Sequence, residues 1–388
     1  MLWHPLDANG ARLADGLHRH FHGPAYAGLA GGAVEVYRRS GGWLAQGGPP
    51  RPMPFQEPLP YGLPSAQFTV VVPVMSPELM AAAEDPDWSE YLQQVSSAAA
   101  EETVFVLPVR RQELNLHGSR LSRLFGSMQA IDGSSPDTVA FRDVAQATAE
   151  SLASGPDRVT VFVSHTKHRS SAEEADGTTM YDEVRAVLAG THLAEFFDAR
   201  DLLPGSQWKD VLDREAGRNA LLMVRTDNYA QREWTQREVL RAKEHDLACV
   251  VLYALQSGDD RGSFLMDHVP AIPCDLADPA AGIRRALDRL VDEVLKHALW
   301  RRQTVYLAEH GFDWLPARAP EAVTLLDVVA GRRRAHPLEV DLAVIHPDPP
   351  LGPNEQAVLT GLARVAGYTG QVDFVTPRQF ADRGGEVG

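Results

Sequence analysis

Residues 219–255 read NALLMVRTDNYAQREWTQREVLRAKEHDLACVVLYAL, and they decide the fold of the region around them. Two apolar runs in this stretch, NALLMVRT (219–226) and LACVVLYAL (247–255), are typical of strands buried on both faces. The charged segment between them is typical of a helix, so the stretch predicts a strand–helix–strand unit. A helix between two strands favours parallel pairing, because the chain must cross back over the sheet.

The same alternation continues on both sides of this stretch. Upstream, VTVFVS (159–164) and HLAEFFD (192–198) predict two further strands, with a helix over TMYDEVRAVLAG (179–190) between them. Downstream, the amphipathic segment AGIRRALDRLVDEVLKHALW (281–300) predicts a closing helix. Alternating strands and helices predict an α/β domain with a central parallel sheet over residues 157–300. Ligands of such sheets usually bind at the carboxyl ends of the strands.

Residues 1–150 repeat this order in a less regular form. Four segments match elements of the later domain, namely GAVEVYRR (32–39), FTVVVPVMSPELM (68–80), DPDWSEYLQQV (85–95) and TVFVLPV (103–109), although none matches FVSH (162–165) clearly. When Trp88 is aligned with Trp234, Leu92 takes the position of Glu238. The alternative is two unrelated α/β domains that share common strand patterns.

Residues 301–388 predict a small α/β segment. VDLAVIHP (340–347) and QVDFVTP (371–377) have the composition of strands, and NEQAVLTGLARVAG (354–367) between them predicts a helix. One strand–helix–strand unit is too small to bury a core of its own. We therefore expect it to pack on the rest of the chain or to begin a domain that is incomplete.

Composition excludes several classes of protein. The formal net charge of −15 argues against binding to nucleic acid or to an anionic membrane surface. Two cysteines, Cys249 and Cys274, cannot form a disulfide framework or the usual structural zinc site, which favours a reducing, cytoplasmic setting. The sequence contains neither a signal-peptide pattern at its start nor an apolar run long enough to span a membrane.

Common catalytic and nucleotide-binding motifs are absent from the sequence. It has no Walker loop, no G-x-G-x-x-G fingerprint, no G-x-S-x-G elbow and no H-E-x-x-H pair. His18 and His22 have the spacing of two metal ligands on one helix, but without a third ligand surface histidines are the better interpretation. We therefore predict no metal site.

Trp234 and Glu238 pose a different question, because residues four apart share one face of a helix. Three short boxes occur in order: FVSH (162–165), then FFD with LLPGSQW (196–208), then REWTQRE (232–238). Together they resemble the TIR (Toll/interleukin-1 receptor) domain, whose enzymatic members carry W-x-x-x-E. The resemblance covers about residues 158–300 and implies a flavodoxin-like fold; residues 1–150 look like a degenerate copy of it.

The resemblance implies that the chain cleaves NAD⁺ between nicotinamide and ribose, with NAD⁺ as substrate and no cofactor. Nicotinamide carries a positive charge in NAD⁺ and leaves as a neutral molecule, so the reaction needs no general acid. The site must instead stabilise an oxocarbenium-like ribose, which a single carboxylate in a water-poor pocket does by its charge and by accepting hydrogen bonds. The catalytic glutamate of the family falls on Glu238.

Further substrate-binding residues follow from the same boxes, namely Ser164, His165, Lys167, Asp198, Trp208 and Trp234. Lys167 stands near the place of an arginine that many members carry after the first box, and Trp208 is the aromatic residue that could stack on a ring of the substrate. Structural interpretations stand beside these. Glu238 could be a solvated helix residue paired with an arginine, Trp234 and Trp208 could serve packing, and Ser164 could cap its strand.

The functional hypothesis is therefore an NAD⁺ hydrolase or cyclase in bacterial antiphage defence or signalling, activated by self-association of TIR domains. A second hypothesis is a non-catalytic TIR scaffold, and a third is a nucleotide-sensing module coupled to TIR assembly. Whether the product is linear or cyclic depends on which nucleophile reaches the ribose carbon first, and the sequence leaves this open.

Overall fold

A computed structural model describes most of the chain. The described residues are 1–26, 34–42, 44, 46–53, 66, 68–110, 114–133, 137–153, 158–166, 173, 177–196, 219–227, 229–230, 232–258, 264–266, 268–309, 311–312, 315–322, 324–325, 329, 341–347 and 349–384. The chain divides into two compact units, Met1–Ala25 with Val34–Leu152 and Tyr26–Ala33 with Ala153–Gly388. Both are α/β units with parallel strands, as the alternation in the sequence predicts.

Short parallel strands between helices make up the described part of the first unit. Its helices are α1 (Ala8–Phe21), α2 (Pro77–Ala82), α3 (Pro86–Ala98), α4 (Arg120–Phe125) and α5 (Asp137–Leu152). Its strands are β1 (Thr69–Val71), β2 (Val74–Met75), β3 (Val104–Val106), β4 (Val109–Arg110) and β5 (Ile131–Asp132). Four of the helices begin after a residue whose side chain accepts a backbone N–H of the first turn, namely Asp7, Ser76, Asp85 and Ser119.

The pairing in the first unit follows the order 2-1-3-4-5 when the segments around Leu2 and Arg39 count as the first two strands, β1 with β2 as the third, β3 with β4 as the fourth and β5 as the fifth. Pro73 separates β1 from β2 and Pro108 separates β3 from β4, because proline lacks the N–H that a ladder needs. The ladders are β1–β3 and β2–β4–β5. Leu2 adds the first strand by parallel bridges to Pro73 on one side and to Arg39 on the other.

The predicted strand over residues 32–39 is smaller than expected. Within its described residues only Arg39 pairs, and its partner is the short segment around Leu2. The Arg39 amide donates to the Met1 carbonyl at 2.9 Å, and the Trp3 amide donates to the Arg39 carbonyl at 3.0 Å. Tyr37 is exposed, so this edge buries too little apolar surface to extend the ladder.

The second unit contains a five-stranded parallel sheet. Its strands are β6 (Thr160–Ser164), β7 (Ala194–Phe196), β8 (Asn219–Arg225), β9 (Ala248–Tyr253) and β10 (Ala271–Pro273), in the order β7-β6-β8-β9-β10. This is again 2-1-3-4-5, a doubly wound order whose ligand crevice lies at the carboxyl ends of the first and third strands. The four strands predicted from sequence are present. The fifth was not predicted, because AIP is too short to carry a periodic signal.

Three helices accompany this sheet in the described part, namely α6 (Met180–Leu188), α7 (Glu233–Glu244) and α8 (Pro279–Glu309). A capping box between Thr179 and Asp182 starts α6. α7 packs its buried side chains, Val239 and Ala242, into the apolar cluster on one face of the sheet. This packing places the segment with WTQRE over the central strands.

α8 is longer than the sequence analysis predicted. The expected helix ended at Trp300, but the observed helix continues to Glu309. No glycine or proline lies between Trp300 and Gly311, and Trp300 and Leu307, seven residues apart, are both buried. The predicted domain boundary at residues 300–301 falls inside this helix.

A second parallel ladder follows α8 within the same unit. It consists of β11 (Leu342–Ile345), α9 (Pro353–Val365) and β12 (Val372–Val375), and α10 (Pro377–Asp382) follows. The predicted strand–helix–strand unit is therefore present. Ile345 and Val375 pack against Trp300 and Leu307, so the extension of α8 supplies part of the apolar surface that this small unit needs. No described helix is both long enough and apolar enough to cross a membrane.

Candidate active site

Ser164, Tyr229 and Glu238 form a chain of hydrogen bonds at the carboxyl edge of the five-stranded sheet. Ser164 Oγ donates to Glu238 Oε2 at 2.5 Å, although the two residues are 74 positions apart in sequence. Tyr229 Oη lies 2.6 Å from the same Ser164 Oγ. The serine hydroxyl gives its single proton to the carboxylate, so the tyrosine hydroxyl must be the donor to serine.

All three side chains are removed from solvent. Glu238 is 5% exposed, Ser164 1% and Tyr229 0%. Burial raises the pKa of Tyr229, the bond to Ser164 lowers it, and the Glu238 charge raises it further. The phenol therefore keeps its proton, as its role as donor requires. A buried carboxylate is costly unless it accepts hydrogen bonds, and Ser164 supplies one of them.

The two-residue period of the strands explains how these groups meet. Phe162 on β6 and Met223 on β8 belong to the apolar cluster beneath α7. Ser164 and Arg225 come two residues later on the same strands, so both face α7 at the carboxyl edge. Glu238 on α7 reaches Ser164, and Arg225 ends the neighbouring strand at the same edge.

Tyr229 owes its position to the turn between β8 and α7. Its amide donates to the Thr226 carbonyl at 2.9 Å. Thr235 Oγ1 donates to the Tyr229 carbonyl at 2.7 Å, which anchors the turn to the first helical turn of α7. Asp227 accepts the amides of Gln256 and Ser257 at 2.8 and 3.0 Å, which ties this turn to the loop after β9. The threonine of WTQRE thus has a positioning role.

Arg225 is a buried cation at the same edge that the sequence analysis missed. It is 7% exposed, its Nη1 donates to Tyr253 Oη at 2.8 Å, and its guanidinium lies 4.9 Å from the Tyr253 ring centroid. A charged residue that ends an otherwise apolar strand was the available signal, since NALLMVR closes on arginine at the ligand-binding edge. A guanidinium at this edge can bind a phosphate.

His165 goes elsewhere. Its ring stacks on Tyr181 of α6, with centroids 3.9 Å apart and planes 12° apart. The next residue after Ser164 on an extended chain points to the opposite face, so alternation separates the two. The structure therefore brings Ser164 but not His165 to Glu238.

The remaining predicted site residues are not described. Lys167, Asp198 and Trp208 lie outside the described residues, and so does the side chain of Trp234. The described residues contain no group of three or more histidine, cysteine, aspartate or glutamate side chains arranged to hold a metal ion.

Neither a protein-family model nor a curated protein sequence matches this chain. A function for the site therefore has to be argued from its residues. One buried carboxylate, oriented by a serine and accompanied by a buried guanidinium, can stabilise positive charge that develops on a substrate and can accept hydrogen bonds from sugar hydroxyls.

Proposed function

We propose that the second unit contains a TIR-type domain that cleaves NAD⁺ between nicotinamide and ribose. The observation that carries the proposal is the bond between Ser164 and Glu238, which joins the first and last of the three sequence boxes. The strand order 2-1-3-4-5 supports it, because ligands of doubly wound sheets with this order bind at the edge where Ser164 ends β6. The boxes come from the sequence alone, whereas the contact between Ser164 and Glu238 comes from the fold.

The chemistry follows from the single carboxylate. As the bond between nicotinamide and ribose breaks, its electron pair goes to nicotinamide and the ribose becomes an oxocarbenium ion. Glu238 stabilises that positive charge, and Ser164 fixes the orientation of the carboxylate. Water then adds to the ribose carbon and loses a proton, which gives ADP-ribose; an adenine nitrogen or ribose oxygen would give a cyclic product instead.

Self-association is part of the proposal, because Glu238 is almost fully buried in the single chain. A substrate can contact the carboxylate only if more of it is accessible. We therefore expect association between TIR domains to open or complete the site. Light scattering across a concentration series, read beside turnover per chain, measures this. Full turnover per chain from a strict monomer at every concentration would contradict it.

The decisive experiment measures nicotinamide release from NAD⁺ by concentrated protein and by its Glu238→Gln variant. We expect the variant to lose release, since the amide has no charge to offset the oxocarbenium ion. Glu233→Gln is the matched control, because Glu233 lies on the same helix, is exposed and pairs with Arg237. Equal release from the Glu238→Gln variant and the wild type would exclude Glu238 as the catalytic residue.

A scaffold without catalysis is the second candidate, and the burial of Glu238 favours it. A carboxylate held by Ser164 beneath a helix can serve the fold alone. In that case wild-type protein releases no nicotinamide even when it is assembled, while Glu238→Gln still lowers stability.

For the enzyme, the resemblance extends the proposal to bacterial antiphage defence or signalling.

A further inference from the structure

A cavity of about 200 Å³ lies in the second unit, away from the carboxyl edge of the five-stranded sheet. Its walls come from α8, from the segment before β10, from the start of β9 and from the segment that follows β11. The last of these is the carboxyl end of a parallel strand, where α/β units place their ligands. A cavity of about 150 Å³ is large enough to hold benzene, so this one admits a small organic molecule.

Positive charge is in excess along the buried part of the lining. Four cations, Lys243, Arg289, Lys296 and Arg318, line the cavity. Three carboxylates line it as well: Glu293 is shared by Arg289 and Lys296, Glu321 pairs with Lys243, and Glu355 is exposed. This excess stands out in a protein with a net charge of −15.

Two of these cations have a buried donor with no partner among the described residues, namely the Nε atoms of Arg289 and Arg318. Burying an unsatisfied donor of a charged group is unfavourable, so an acceptor bound in the cavity would relieve that cost. His297 also lines the cavity but adds no charge at neutral pH, since burial lowers its pKa to about 3.

We propose that this cavity binds the phosphate monoester of a small organic molecule. A phosphate monoester carries about −1.5 to −2 charges at pH 7, which suits a lining with more cations than carboxylates. Arginine suits its oxygens because the guanidinium donates in a planar fork. Trp300, Leu351 and several prolines line the cavity as well and leave apolar surface for the organic part.

The cavity adjoins the end of the helix that carries Glu238. Lys243 lies near the carboxyl end of α7, five residues after Glu238, and it is buried. Arg318 donates through Nη2 to the carbonyl of Ala242 at 3.3 Å and to that of Leu247. A ligand held by Arg318 would therefore strengthen the cap on this helix end and slow its local opening.

Backbone strain is concentrated at the same place. Asp246 and His268 have φ of 55° and 62°, and they are the two non-glycine residues of the described chain with positive φ. His268 lines the cavity, and the Asp246 carbonyl lies 2.9 Å from Nδ1 of His297, which also lines it. Left-handed backbone is unfavourable for residues other than glycine and tends to occur at ligand sites.

Calorimetric titration of the full chain with ribose 5-phosphate, with ribose and with inorganic phosphate tests the proposal. We expect ribose 5-phosphate to bind and ribose to give no heat. Arg289→Met and Lys296→Met should each weaken binding by roughly tenfold or more, the loss expected for one charge-assisted hydrogen bond. Arg284→Met, an exposed position on the same helix, is the matched control and should bind like the wild type.

Hydrogen exchange supplies the second readout, and circular dichroism checks that each variant is folded. Amides of residues 240–247 should exchange more slowly when ribose 5-phosphate is bound. Ribose should leave their exchange rates unchanged. The proposal is overturned if ribose 5-phosphate fails to bind at millimolar concentration, or if it binds equally well to the folded Arg289→Met and Lys296→Met variants. Binding of inorganic phosphate alone would overturn the assignment to an ester. These readouts do not depend on NAD⁺ cleavage.

Discussion

At the scale of single residues, Tyr229 governs how Ser164 meets Glu238. Its hydroxyl donates to Ser164, which donates in turn to the carboxylate. Each donor in such a chain polarises the next, so the first bond strengthens the second. The orientation of Glu238 therefore depends on Tyr229, which acts on the carboxylate through Ser164.

Replacing Tyr229 by phenylalanine removes only the hydroxyl and leaves the ring in the core. We expect Tyr229→Phe to lower the free energy of unfolding by about 1 kcal/mol, because the buried Ser164 oxygen loses a donor. Urea unfolding measures this. Tyr91→Phe is the control, since its hydroxyl makes a longer bond of 3.3 Å to a carbonyl. If the two variants lose the same stability, the chain through Ser164 adds nothing.

A histidine in the wall of the cavity makes stability depend on pH. Burial and neighbouring arginines lower the pKa of His297 from 6.5 to about 3 in the folded chain. The unfolded chain therefore takes up the proton first, and stability falls as pH drops from about 6.5 toward 3. The slope is at most about 1.4 kcal/mol per pH unit, and partial exposure of the ring reduces it.

Unfolding in urea at a series of pH values between 4 and 7 measures this slope. His297→Gln should flatten the curve in this window, because glutamine does not titrate. His117→Gln, at an exposed position of the first unit, should leave the curve unchanged. An unaltered slope in the His297→Gln variant would contradict the assignment.

The sequence predicted part of this site for a definable reason. Ser164 and Glu238 stand in boxes of fixed spacing, and the alternation of strands showed that both reach one edge of the sheet. Tyr229 lies in a turn, where no period constrains a side chain, so its bond was invisible before the fold was known. Arg225 was missed because NALLMVR was treated only as an apolar strand.

At the scale of elements, α7 is held at its carboxyl end by residues far along the chain. Lys243 contacts both carboxylate oxygens of Glu321 at 2.8 and 3.0 Å, and both side chains are nearly buried. Arg318 caps the same end through main-chain carbonyls. The segment after α8 therefore stabilises the helix on which Glu238 depends.

Removing one partner of the Lys243–Glu321 pair should lower the free energy of unfolding much more than removing both. Lys243→Met leaves the Glu321 carboxylate buried without its cation, so we expect a loss of about 3–5 kcal/mol in unfolding free energy. Lys243→Met with Glu321→Leu should recover most of that loss. Arg237→Met breaks the exposed pair with Glu233 on the same helix and should cost less than about 0.5 kcal/mol.

Guanidinium unfolding of the three variants completes this comparison. If Lys243→Met costs no more than Arg237→Met, the buried pair does not support α7. If the double variant is as unstable as the single one, the cost comes from lost packing around Lys243 instead of the orphaned carboxylate.

Elements with a clear apolar pattern in their own sequence were predicted well. Elements that depend on pairing or packing with distant residues were predicted poorly. The four strands β6, β7, β8 and β9 carry runs of apolar residues and were recognised. β10 is three residues long and depends on pairing with β9, which the local sequence does not show. The length of α8 was underestimated because its last turns face Ile345 and Val375, which come much later in the chain.

At the scale of the whole molecule, both units have the strand order 2-1-3-4-5. The sequence indicated a repeat, but it could not show this order in the first unit. The first strand there is the short segment around Leu2, and prolines divide the third and fourth. In both units a helix, α3 or α7, lies between the third strand and the fourth in sequence, and the alignment of Trp88 with Trp234 sets Leu92 of α3 against Glu238 of α7.

Leu92 is a core residue of the first unit, so its replacement tests whether the two units unfold separately. It is 0% exposed and packs in the apolar cluster of the first unit with Leu79, Trp88 and Phe125. A carboxylate there would lack a donor such as Ser164 provides. We expect Leu92→Glu to destabilise the first unit by more than about 4 kcal/mol, the range of a buried, unpaired charge.

Hydrogen exchange separates the two units in this experiment. Amides of β1 and β3 should lose protection in Leu92→Glu, while those of β6 and β9 keep it, because each unit has its own sheet and core. Leu92→Met, which keeps volume and polarity, should cost less than about 1.5 kcal/mol. Nicotinamide release should be absent from Leu92→Glu combined with Glu238→Ala, since a carboxylate at this position lacks the serine that donates to Glu238. Release from that double variant would show that the first unit retains a usable site, and the duplication would then have left two.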